Sequence, residues 1–163
     1  MPFLQHLCQL LYDSHIGTAI RESNNAFPII ESVHVLSITL LFGTIAVLDL
    51  RMLGLVLRPI AIPRLARNIL PLTACGFAIS ISSGFLLFWA EAAKNYANPA
   101  FRVKLVLLAL GGLNPLVFHT LIYRRAGDWE AHPASPWRVR TAALTSLAIW
   151  SGVIIAGRAI AYF

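Results

Sequence analysis

Four uninterrupted apolar stretches, each long enough to cross a bilayer, occupy most of this 163-residue chain. A spanning helix needs about 20 mostly apolar residues, and residues 28–50, 69–90, 103–122 and 141–163 supply four such runs. The expected fold class is therefore all-α, an integral membrane four-helix bundle. Residues 28–163 would form a single transmembrane domain, preceded by an N-terminal segment over residues 1–27. A hydrophobic fraction of 58% against a charged fraction of 12% supports this class, because soluble domains carry about twice that charge.

The formal charge of +6 is explained by where the basic residues lie. Arg51, Arg58, Arg64 and Arg67 fill the first connection between spans, and Arg124, Arg125, Arg138 and Arg140 fill the third. The other side carries only Arg21, Lys94, Arg102 and Lys104, with Arg158 inside the last span. The positive-inside rule then places both Arg-rich loops in the cytoplasm and both termini on the opposite, periplasmic-type side. No basic platform interleaved with aromatic residues is present, so nucleic acid is not an expected partner. The expected partners are the lipid bilayer, further copies of the chain or a redox subunit. The first basic residue is Arg21 and no small-x-small cleavage pattern follows it, so the first span is expected to be retained rather than cleaved as a leader.

In the N-terminal segment Phe3, Leu4, Leu7, Leu10 and Leu11 recur at helical spacing opposite Gln5, His6, Gln9 and Asp13. This pattern predicts an amphipathic helix, lying on the outer surface or packed over the mouth of the bundle. Asp13 or Ser14 is placed to cap a second short helix. Small residues recur at intervals of four in the second span (Gly76, Ser80, Gly84) and the fourth (Ala148, Gly152, Ala156). Such rows allow close backbone approach, or leave room for a flat cofactor.

Ionisable residues inside the spans are the candidate functional groups, because a charge at the bilayer centre costs at least ~2.5 kcal/mol. At 100° per residue Glu31 and Asp49 share one helical direction and His34 lies close to it, so the stripe is expected to face the bundle interior. Arg158 is expected at the depth of Glu31, giving a structural ion pair between them, or a cationic anchor for an anionic cofactor group. His34 near the outer face and His119 near the inner face lie roughly 15 Å apart in depth and cannot share one metal. Each would need its own second ligand: His6 or His15 for His34, and Met52 or His132 for His119. Glu31 or Asn24 is the expected partner for the second ring nitrogen of His34.

The run Glu31-Ser-Val-His34, with Leu41-Phe-Gly43 and Asp49-Leu-Arg51-Met-Leu-Gly54, resembles the first span of an uncharacterised family of small bacterial four-helix inner-membrane proteins. Phe101-Arg-Val-Lys104, Asn114, His119, Trp150 and Gly157-Arg158-Ala-Ile-Ala-Tyr162 carry the resemblance through the rest of the chain. It implies a fold and a location but no activity. A looser architectural likeness joins the chain to membrane b-type cytochromes and to the membrane proteins of copper resistance.

Three functions follow as expectations. The first is a b-type haem-binding electron-transfer or membrane-anchor subunit, with His34, His119, His15, His6 and Arg158 as candidate cofactor residues, and no enzyme activity of its own. The second is copper or proton handling at an outward-facing site of Glu31, His34 and Arg158. The third is a structural subunit without its own chemistry.

Overall fold

The computed structural model describes residues 2–117 and 137–162. These residues form seven α-helices: α1 (Pro2–Tyr12), α2 (His15–Glu22), α3 (Ala26–Met52), α4 (Ile62–Ala90), α5 (Ala92–Ala97), α6 (Pro99–Val117) and α7 (Trp137–Ala159). A 3-10 turn over Ile160–Tyr162 closes the described chain. The all-α expectation holds, and α3, α4 and the last helix with its 3-10 turn are each long and apolar enough to cross a membrane. Leu36, Ile29, Val106 and Ile155 are among many large apolar side chains left exposed on the helices. In a membrane protein such faces meet lipid.

The spans begin earlier than hydropathy suggests. Helix α4 starts at Ile62, with Pro63 in its first turn, where a missing N–H costs nothing. Arg64 and Arg67 therefore ride on the helix. Likewise α6 starts at Pro99 rather than Val103, because the Asn98 side chain accepts from the backbone N–H groups of Ala100 (2.9 Å) and Phe101 (3.3 Å). Arg102, expected in a connection, is consequently helical, and Lys104, at the edge of the expected span, lies more than a turn inside the helix. The expected end of that span at Ile122, together with His119 and His132, lies outside the described residues.

Helices α3 and α4 share the most extensive interface, followed by α6 with α7 and α3 with α7, whereas α4 and α6 make no extensive contact. The small residues explain the tight pairing of α3 and α4. A Cβ on Gly76 would stand 3.0 Å from the Leu41 backbone nitrogen and 3.3 Å from the Ser37 carbonyl oxygen. A Cβ on Gly152 would meet the Leu107 side chain at 3.2 Å, so the second row of small residues seats α7 on α6. The order α4–α3–α7–α6 leaves a cleft between α4 and α6, floored by α3 and α7.

The N-terminal helices pack over one end of this arrangement. Ser14 caps α2 by accepting from the Gly17 N–H at 3.2 Å, and it also accepts from the Trp89 indole at 2.9 Å. Arg21 donates to the carbonyls of Tyr12 (3.1 Å) and Ala90 (2.9 Å) while its guanidinium lies 3.8 Å over the Tyr12 ring. Phe3, Leu4, Leu7 and Leu10 of α1 remain exposed, as an amphipathic surface helix requires. Asn98, 4% exposed, ties the same end of the molecule together by donating to the Ile160 carbonyl at 3.0 Å. Cys8 and Cys75 are both free thiols.

Candidate functional site: a lateral cleft with two cavities

The cleft between α4 and α6 holds two cavities, one in each half of the bundle. Leu41, Phe77 and Trp150 line both, so these three side chains form the partition between them.

The cavity nearer the N-terminal helices has a volume of about 310 Å³. Its walls are almost entirely apolar and rich in aromatic rings, among them Phe42, Phe85, Phe88, Phe101 and Trp150. Phe88 and Phe101 stack across the cleft with ring centroids 5.3 Å apart and planes 8° from parallel. Ile81 and Phe85 on α4 and Leu105 on α6 line the cavity and are also exposed, so its mouth opens sideways between the two helices, toward lipid.

Two ionisable side chains enter this apolar space, His34 from α3 and Lys104 from α6. His34 sits eight residues into α3, about 12 Å along its axis. Its Nδ1 lies 3.0 Å from Ser83 Oγ on α4. The Ser83 hydroxyl already donates to the Ile79 carbonyl at 2.6 Å, and a hydroxyl has one proton to give. Ser83 is therefore placed to accept from His34 Nδ1–H, with the Ser80 carbonyl a further acceptor beside the ring; in that tautomer the Nε2 lone pair is left to a ligand. Gly84 provides the space for the ring: a Cβ there would stand 2.9 Å from His34 Cε1. Of the row Gly76-Ser80-Gly84, the first glycine thus serves helix packing and the last serves the imidazole.

Lys104 is half-buried and has no hydrogen-bond or ion-pair partner among the described residues. Its ammonium passes close to α7 at Gly157, where a Cβ would lie 3.6 Å from Nζ. The cavity therefore offers one acceptor, His34 Nε2, and one charged donor, Lys104 Nζ, within aromatic walls.

Several sequence expectations meet different geometry. Glu31 and Arg158 are both exposed, and no ion pair joins them. Glu31 lies within the first two turns of α3, and Arg158 lies in the last turn of α7. Both therefore reach the interface, where water or lipid head groups replace a buried partner. Arg158 is absent from the cavity lining, and the membrane-facing cation inside the cleft is Lys104 instead. His6 and His15 are exposed on α1 and α2, away from the cavity, and Ser83 rather than Glu31 or Asn24 holds the His34 ring. Met52 is buried against Val139 and Ala143. Among the described residues no group of three or more His, Cys, Asp or Glu side chains is gathered for a metal. Asp49, which shares the Glu31 direction on the helix, is buried as the stripe argument requires.

The signal for Lys104 was present in the sequence, five residues after a helix-starting proline inside an apolar run, whereas nothing in the sequence marks Ser83 as the residue that reaches His34.

A helical chain with three long apolar helices whose large apolar side chains face outward is a membrane protein. Residues 12–163 match the model of a family of unknown function, DUF6644, and the chain belongs to that family. No curated protein and no solved structure matches it.

Proposed function

We propose that this protein binds a lipid-soluble aromatic alcohol of the quinol class in the cavity between α4 and α6, as a membrane-anchor or electron-transfer subunit. The observation that carries the reading is the pairing of a held imidazole with an ammonium that has no partner among the described residues, inside aromatic walls that open sideways between the helices. A quinol ring hydroxyl would donate to His34 Nε2, and a second ring oxygen would accept from Lys104. The ring itself would lie against the stacked Phe88–Phe101 pair and Trp150. A volume of about 310 Å³ is at the lower end for ligand pockets and suits one substituted ring better than a tetrapyrrole.

The test compares a decyl-substituted benzoquinol with its dimethyl ether, titrated into the purified protein in lipid nanodiscs. The ether keeps the ring and tail but has no proton for His34. Loss of one hydrogen bond in an apolar site costs about 1–3 kcal/mol, so the ether should bind about tenfold or more weakly. Equal affinities would remove His34 from the contact.

A second reading is favoured by the His34 ring itself. Its Nδ1 is held and its Nε2 is open, the arrangement that an axial haem ligand or a copper ligand needs. Protein from haem-replete cells with a Soret band that His34→Ala abolishes would select haem over quinol. Copper retained by the wild type and lost in the same variant would select copper handling.

In a bacterial inner membrane, the Arg-rich connection between α3 and α4 faces the cytoplasm in this account, with both termini periplasmic. A C-terminal alkaline phosphatase fusion should then be active and a C-terminal fluorescent reporter of cytoplasmic folding dark. The reverse pattern would invert the orientation of both cavities.

A further inference from the structure

The second cavity, about 370 Å³ in the other half of the cleft, contains a carboxylate that the quinol reading does not use. Asp49 is 6% exposed, and its Oδ2 is buried without a hydrogen-bond partner. Ser146 on α7 hydrogen-bonds to the carboxylate, and Asp49 is part of the cavity lining. An ionised carboxylate held away from water in this way would call for a compensating cation, and none lies against it among the described residues.

The remaining polar groups of the cavity present acceptors to the same space. Asn114 on α6 donates its amide to the Ala142 carbonyl at 3.5 Å, which leaves its Oδ1 as an acceptor. Thr73 on α4 donates to Thr44 Oγ1 on α3 at 2.9 Å, while the Thr44 hydroxyl donates to the Leu40 and Leu41 carbonyls at 2.9 Å. The Thr44 proton is thereby committed to backbone. Trp150 closes the cavity toward its neighbour, and an indole face attracts cations.

We propose that this inner cavity is a binding site for a small lipophilic primary ammonium ion. The ammonium has three N–H donors, which would be shared among the Asp49 carboxylate, Asn114 Oδ1 and the hydroxyl oxygens of the threonine pair. The apolar part of the ligand would lie against Trp150. A bare metal cation would fit the carboxylate but would leave most of the apolar volume unfilled. This inference stands independently of what the other cavity binds.

Phenethylammonium and its neutral analogue 2-phenylethanol provide the test, titrated calorimetrically into the full chain in nanodiscs. The two have nearly the same size and differ in charge. The wild type should bind the ammonium at least tenfold more tightly than the alcohol, and Asp49→Asn should reduce that preference to about twofold or less. Asn114→Ala should weaken the ammonium alone. Equal binding of the two compounds by the wild type, or no binding of the ammonium, would overturn the proposal without recourse to any variant. Retention of the full preference in folded Asp49→Asn would overturn it equally.

Discussion

Gly76→Leu should be the most destabilising single substitution in the described bundle. The Cβ alone would stand 3.0 Å from the Leu41 backbone nitrogen and 3.3 Å from the Ser37 carbonyl oxygen. Backbone cannot swing aside as a side-chain tip can, so α3 and α4 would have to separate along their shared interface. Overpacking of this kind costs about 1–3 kcal/mol and occasionally more, and a leucine at a backbone contact belongs at the upper end. Gly43, on the same pair of helices, supplies the control, since a Cβ there meets nothing within 4 Å. Thermal unfolding in one detergent should show a large fall in midpoint for Gly76→Leu and an unchanged or raised midpoint for Gly43→Ala. Equal midpoints would mean that close packing at Gly76 does not hold the helices together.

Lys104→Met should separate stability from binding. The substitution keeps an unbranched apolar side chain of similar length and removes a cation that has no partner among the described residues. Placing such a charge in a membrane costs energy that only a ligand or water returns, so the variant should unfold at the wild-type temperature or above. Its affinity for the decyl benzoquinol should fall about ten- to a hundredfold, the expected loss of a hydrogen bond to a charged group at 1.5–3 kcal/mol. Wild-type affinity in the variant would show that Lys104 does not touch the ligand. A fall in both stability and affinity would assign it to packing instead.

Hydropathy made the helical class legible, but it misplaced helix starts wherever charge enters the first turns. Arg64 and Arg67 in α4, and Arg102 in α6, looked like connections. Helical hydrogen bonding does not stop where hydrocarbon ends, and Pro63 and Asn98 start these helices outside the apolar run. Lys104 fell inside the expected span but was counted with the outer basic residues, so its place in the bundle was missed. His34 was legible as an intramembrane imidazole, yet its neighbours were not. Periodicity along α3 relates His34 to Glu31 and Asp49 on the same helix. It says nothing about which residue of α4 arrives at that level, and that residue is Ser83. The stripe argument correctly buried Asp49. The same argument placed Glu31 in the interior, but Glu31 is exposed, because at a helix end a side chain reaches the interface whatever direction it shares with buried residues.

The central claim is that His34 is held as the Nδ1–H tautomer with Nε2 open to a ligand hydroxyl. Nitrogen-15 NMR of the imidazoles in nanodisc-embedded protein tests it at the atom concerned. One Nε2 resonance, absent from His34→Gln, should appear in the range of an unprotonated ring nitrogen. It should shift on addition of the decyl benzoquinol and stay in place on addition of the dimethyl ether. A protonated His34 Nε2 in the free protein, or a resonance that ignores the quinol, would contradict the account.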